Sequence, residues 1–159
     1  MLQRIQTVFL LLVVILMLLT LIFPMWAYHS PDSDQGILLT AFYLLTSNGV
    51  EEVSKVTFPY ILIGVCAVLS AIVGIVEITR FNNRLLQIKL SALNSLLMIG
   101  TLGLGFWFAR EVMAEESIEQ NWTYGMGSFL PIGAMIMNVL ANRFIRKDEK
   151  LVRSVDRIR

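Results

Sequence analysis

Four long apolar stretches, separated by short polar segments, organise the chain. They run from about Val8 to Trp26, Phe58 to Val76, Leu90 to Ala109 and Met126 to Ala141. A helix rises about 1.5 Å per residue, so roughly 20 apolar residues cross a hydrocarbon core of about 30 Å. The first three stretches meet that length directly. The fourth is shorter, and Trp122 and Tyr124 at one end and Arg143 at the other extend it to the two interfaces. The pattern predicts an all-α membrane protein. Its four-transmembrane-helix bundle has helices at about 8–28, 58–79, 88–109 and 125–143, in a single domain over 1–159. The first stretch exceeds the roughly 7–15 apolar residues of a signal-peptide core, and no small-x-small cleavage site follows it. Pro24, Trp26 and Tyr28 read instead as an interfacial anchor at the end of a retained helix.

The segments between helices carry their own patterns. Residues 29–57 form the longest. An apolar run, Ile37 to Leu45, precedes Ser47-Asn48-Gly49 and then Val50 to Thr57. Asn-Gly between β-prone runs predicts an outer β-hairpin. A short interfacial helix over 36–46 is the competing reading. The second such loop, 110–123, is acidic and can prolong helix 3 or helix 4 beyond the membrane.

Composition agrees with a lipid-facing exterior. Hydrophobic residues make up 56% of the chain and charged residues 16%, with a mean hydropathy of +0.69. A water-facing surface could not be covered from that composition. Arg4, Arg80, Arg84, Lys89 and seven basic residues after helix 4 fall on one side, eleven of the thirteen in all. Lys55 and Arg110 share the other side with eight carboxylates, among them Asp32, Glu51 and Glu116. The positive-inside rule then predicts a cytoplasmic N-terminus and a cytoplasmic C-terminus.

Few residues carry candidate chemistry. The lone Cys66 excludes an intramolecular disulfide and a cysteine metal site, and the lone His29 excludes a bis-histidine haem site. Cys66 reads as a packing residue and His29 as an interfacial polar group. Asn121-Trp122-Thr123 matches the glycosylation sequon, but that three-residue pattern is weak. Glu77, Asn94 and Asn138 are the candidate intramembrane polar residues. Glu77 is a candidate relay acid, but a pairing with Arg80 at i, i+3 near the helix end is the simpler expectation. Asn94 and Asn138 are expected to hydrogen-bond between helices. Small residues at helix spacing, such as Ser70 with Gly74 and Ser91 with Ser95, predict close packing.

The tail, 142–159, has no Gly or Pro and continues helix 4 as a basic cytoplasmic C-terminal helix. Seven basic and three acidic residues give it a charge of +4. Leu151, Val152, Val155 and Ile158 share one face, and Glu149 with Arg153 is a favourable i, i+4 pair. Arg146, Lys147, Lys150, Leu151, Arg153, Val155, Arg157 and Ile158 are the candidate contacts for a protein partner or for membrane lipid. RNA is disfavoured.

Met1-Leu2-Gln3-Arg4-Ile5-Gln6-Thr7 entering an apolar helix, and the tail from Ile145 to Arg159, resemble a family of small Bacteroidetes membrane proteins catalogued as a domain of unknown function (DUF4293-like). The resemblance implies a bacterial inner membrane, four helices and no transferable activity or site residue. The leading functional expectation is a non-enzymatic accessory or scaffold subunit of a larger inner-membrane assembly, in secretion, insertion or envelope biogenesis. Other inner-membrane proteins would bind it through the tail and the outer loop. A small transporter using Glu77 is the alternative. No catalytic residue, cofactor or metal site is expected, and an enzyme is the least favoured class.

Overall fold

The computed structural model describes residues 2–30, 35–48, 53–80, 83–118 and 122–156, with side chains described over 5–30, 35–47, 53–80, 83–118 and 122–149. Four helices, α1 (Leu2–Thr20), α2 (Ile61–Thr79), α3 (Arg84–Glu115) and α4 (Met126–Asp156), carry most of the chain. Five short strands, β1 (Trp26–His29), β2 (Gln35–Leu39), β3 (Leu44–Asn48), β4 (Val53–Val56) and β5 (Trp122–Tyr124), form one antiparallel sheet in the order β4-β3-β2-β1-β5.

Each helix packs against its neighbours in sequence, and α4 closes the ring on α1. Each buries a stripe at i, i+3, i+4, seen in α4 as Ser128, Pro131, Ala134, Asn138, Ala141 and Ile145. The opposite faces are exposed and apolar, as lipid contact requires. α2, α3 and α4 each contain a segment long and apolar enough to cross a membrane, and α1 contributes a shorter apolar helix, Ile5–Thr20.

The elements depart from the expected pattern in identifiable places. Helix 1 stops at Thr20 rather than near residue 28. Leu21 and Ile22 donate back to Leu18 and Leu19 in a tightening last turn, and Pro24 cannot continue the ladder. Of the residues read as an interfacial anchor, Trp26 and Tyr28 fall in β1, with Trp26 buried and paired to Leu39 on one side and Tyr124 on the other. Trp122–Tyr124, read as an extension of helix 4, is β5. Beyond the expected loop hairpin, the sheet thus takes in Trp26–His29 and Trp122–Tyr124, expected to belong to helices 1 and 4.

The apolar arm 37–45 is not one strand, and no helix forms in the described part of 36–46. The chain reverses at Ala41 and Phe42, where Thr40 N–H donates to Tyr43 O and the Thr40 hydroxyl accepts from Tyr43 N–H. Neither turn residue has a positive φ, so the turn lacks the Asn-Gly or Asp-Gly mark of primed hairpins. β3 and β4 pair antiparallel, Leu44 with Val56 through Ser47 with Val53. Gly49 and its neighbours between those strands lie outside the described residues.

α3 has 32 residues, a length of about 48 Å. That exceeds a bilayer core, and its far end supports the sheet. Phe108, Ala109 and Val112 pack with Trp26, Ile37 and Leu39 in one core, and Tyr60 sets its ring edge-on to Phe108 at 5.2 Å. Burial pushes the Tyr60 hydroxyl pKa up, and the charges of Glu115 and Glu111 push it further. The sheet is fastened at two more points. Ala41 O accepts from Gly64 N–H at 2.7 Å, completing the bonds of the first turn of α2. At the start of α4, Gly125 N–H donates to Met25 O and Gly127 N–H to Pro24 O, both at 2.9 Å. A Cβ on Gly125 would lie 2.2 Å from Pro24 O, so only glycine permits this approach.

Candidate functional site

The half of the bundle that holds the start of α1 and the junction of α2 with α3 has a polar interior. On α2, Ser70, Gly74 and Glu77 follow one another at i, i+4, i+7 on the buried face. On α3, Gln87, Ser91 and Asn94 do the same, and Asn138 of α4 and Gln6 of α1 face inward beside them. Helix spacing puts these residues in line, and antiparallel packing sets the lines side by side.

Two of the sequence candidates anchor interhelical bonds. Ser70 Oγ donates to Asn94 Oδ1 at 2.5 Å, joining α2 to α3. Asn138 joins α4 to α3 three times. Its Oδ1 accepts from Ser91 Oγ at 3.2 Å, and its Nδ2 donates to Ser91 O and Ser95 Oγ, each at 2.9 Å. Gln87 Nε2 donates to the backbone carbonyl of Glu77 at 3.2 Å, satisfying an acceptor in the last turn of α2.

Glu77 differs from the expected helix-end pair. Its side chain is 0% exposed, whereas Arg80 faces outward. Neither carboxyl oxygen has a hydrogen-bond partner among the described residues. Three donors in the same half of the bundle are also without one: Asn94 Nδ2, Gln6 Nε2 and Arg84 Nη1. Gly74 sits between the acid and the amide on the α2 face. A Cβ there would lie 3.6 Å from Asn94 Nδ2 and 2.8 Å from a Val14 methyl carbon. Toward the sheet, Val13, Met17, Ala67, Ala71, Met98 and Ala134 close the interior with apolar packing. The arrangement is a polar tract with complementary unused donors and acceptors, ending at an apolar plug. Among the described residues, no three His, Cys, Asp or Glu side chains group as metal ligands would.

The tail candidates are placed only in part. Arg146 and Lys147 are exposed, and Arg146 Nε donates to Asn142 Oδ1 at 3.2 Å. α4 continues as helix through Lys150, Leu151, Arg153 and Val155 to Asp156, but these side chains, and with them the Glu149–Arg153 pair, lie outside the described ones. Arg157 and Ile158 lie outside the described residues altogether. Asp148, an acid of the tail, pairs with Arg84 Nη2 at 2.8 Å and ties α4 to the start of α3. Sequence reasoning missed Gln6, Gln87 and the Arg84–Asp148 pair. The polar spacing 87, 91, 94 on an apolar helix was the available signal.

Long helices with apolar outer faces around an interior of amide, hydroxyl and carboxyl groups define a multi-pass membrane protein, here carrying a small sheet at one end. The chain belongs to the family described as Domain of unknown function (DUF4293), whose profile matches residues 2–158. No curated protein matches it in sequence.

Proposed function

We propose that the protein is a non-enzymatic accessory or scaffold subunit of a larger bacterial inner-membrane assembly, with four membrane crossings and both termini in the cytoplasm. The basic residues concentrated at the terminal side support that orientation. The apolar Ile5–Thr20 stretch, about 24 Å long, supports α1 as the fourth crossing. The observation that carries the subunit reading is the β4 edge, beyond which no further strand lies among the described residues. All four residues of β4 are exposed, with Val53 at 63% and Val56 at 46%. Edge strands are normally blunted by charge. Here the one charge, Lys55, sits over the Tyr43 ring at 4.0 Å. The edge is thus suited to receive a partner strand by backbone pairing.

The experiment is gentle purification of the tagged protein and of a Val53→Lys/Val56→Lys variant at matched expression, with a photo-crosslinker at Ser54. The native edge should crosslink a defined inner-membrane partner that the variant loses. Equal recovery from both would refute the edge as the docking element.

A small transporter is the second reading, and the buried, unpartnered carboxyl of Glu77 favours it. Under the subunit reading, Glu77→Gln leaves assembly intact. Loss of proton-coupled flux in reconstituted vesicles, at normal protein level, would favour the transporter.

A further inference from the structure

The outward face of α4 carries one unbroken stripe. Phe129, Ile132, Ile136 and Val139 are exposed at i, i+3, i+4 spacing, and exposed Arg143 and Arg146 continue the same series. From Phe129 to Val139 the helix rises about 15 Å, half of a bilayer core of about 30 Å. The apolar run is therefore long enough for an acyl chain to lie along it, and the two arginines follow at its end away from the sheet. Between Val139, Asn142, Arg143 and Arg146 opens a groove of about 390 Å³. The Arg146 Nε to Asn142 Oδ1 bond at 3.2 Å fixes the root of that guanidinium beside the amide. Asp148, two residues beyond Arg146 and so on another face of α4, is held by Arg84. Two guanidinium forks next to an amide suit a phosphate, which accepts paired hydrogen bonds from such groups.

We infer that this groove is a binding site for one anionic phospholipid. Arg143 and Arg146 hold its phosphate beside Asn142, and one acyl chain lies along Val139, Ile136 and Ile132. The site does not depend on what joins the β4 edge.

The test uses the full-length protein in nanodiscs of phosphatidylcholine with or without phosphatidylglycerol. After re-extraction in mild detergent, the retained phosphatidylglycerol per chain is measured by mass spectrometry. The native protein should retain it in preference to phosphatidylcholine. Arg143→Gln/Arg146→Gln should weaken retention roughly tenfold or more, the scale of losing charge-assisted hydrogen bonds. Arg143→Lys/Arg146→Lys keeps the charge, loses the fork and should fall between. Arg80→Gln/Lys89→Gln removes two other exposed charges from the same end and should change nothing. If the glutamine pair fails to fold, the lysine pair decides the matter. Equal retention of both lipids, an equal loss in the control pair, displacement by inorganic phosphate, or a partner helix crosslinking at Val139 in place of lipid would each overturn the site.

Discussion

Ser117 has a φ of 53°, one residue past the C-cap of α3. Ile118 N–H donates to Met113 O at 2.9 Å, the bond that closes a Schellman turn, and Glycine usually fills the left-handed position of such turns. A Cβ in that conformation costs about 1 kcal/mol, so Ser117→Gly should raise the thermal unfolding midpoint in detergent. A lowered midpoint would contradict this. Asn138 is the opposite case, since its three bonds hold α4 to α3. Asn138→Ala should cost about 1–2 kcal/mol, the upper range for interhelical bonds, and Ser95→Ala about 0.6 kcal/mol. Equal effects in the two would contradict the network. Glu77, Asn94 and Asn138 were legible as candidates because polar groups at membrane depth are rare. Their partners were not. Ser70 and Ser91 read equally well as small packing residues, and only the rotation of each helix in the bundle turns their hydroxyls toward the asparagines.

At the scale of elements, the helices were legible and the sheet largely was not. Apolar length and 3.6-residue periodicity are local properties of one segment. The strands depend on partners far along the chain. β5 is three residues long and exists through its pairing with β1, while the Ala41–Phe42 turn has no glycine to announce it. The glycines at the start of α4 mark the junction where these parts meet. Gly127→Ala would place a Cβ 2.5 Å from Phe23 O. It should destabilise by about 1–3 kcal/mol, as overpacking does, with faster hydrogen exchange in β1 than in the bundle core. Gly103 is the internal control, with nothing within 4 Å of its added Cβ. There Gly103→Ala should stabilise α3 by up to about 1 kcal/mol. Similar behaviour of the two variants would show that the Pro24 contact does not hold the sheet in place.

For the whole molecule, the proposed orientation rests on where charge lies along the chain. In a Cys66→Ser background, cysteines at Ser47 and Glu116 should react with an impermeant thiol reagent added to intact cells, and one at Ser154 should not. Labelling of Ser154 in sealed cells would reverse the orientation. The sheet that carries Ser47 has an inner strand, β1, contributed early in the chain and flanked on one side by β5, contributed just before α4. A nascent chain can therefore pair β1 with β2 while synthesis continues, yet it cannot cover the other side of β1 until the final helix follows β5 toward the membrane. Until then the unfinished protein exposes a second strand edge, next to Pro24 and Met25, that the completed one conceals. A chain stalled before residue 122 would present that edge and lack the backbone bonds at Gly125 and Gly127 that seat it, a difference by which quality control could distinguish finished copies from unfinished ones.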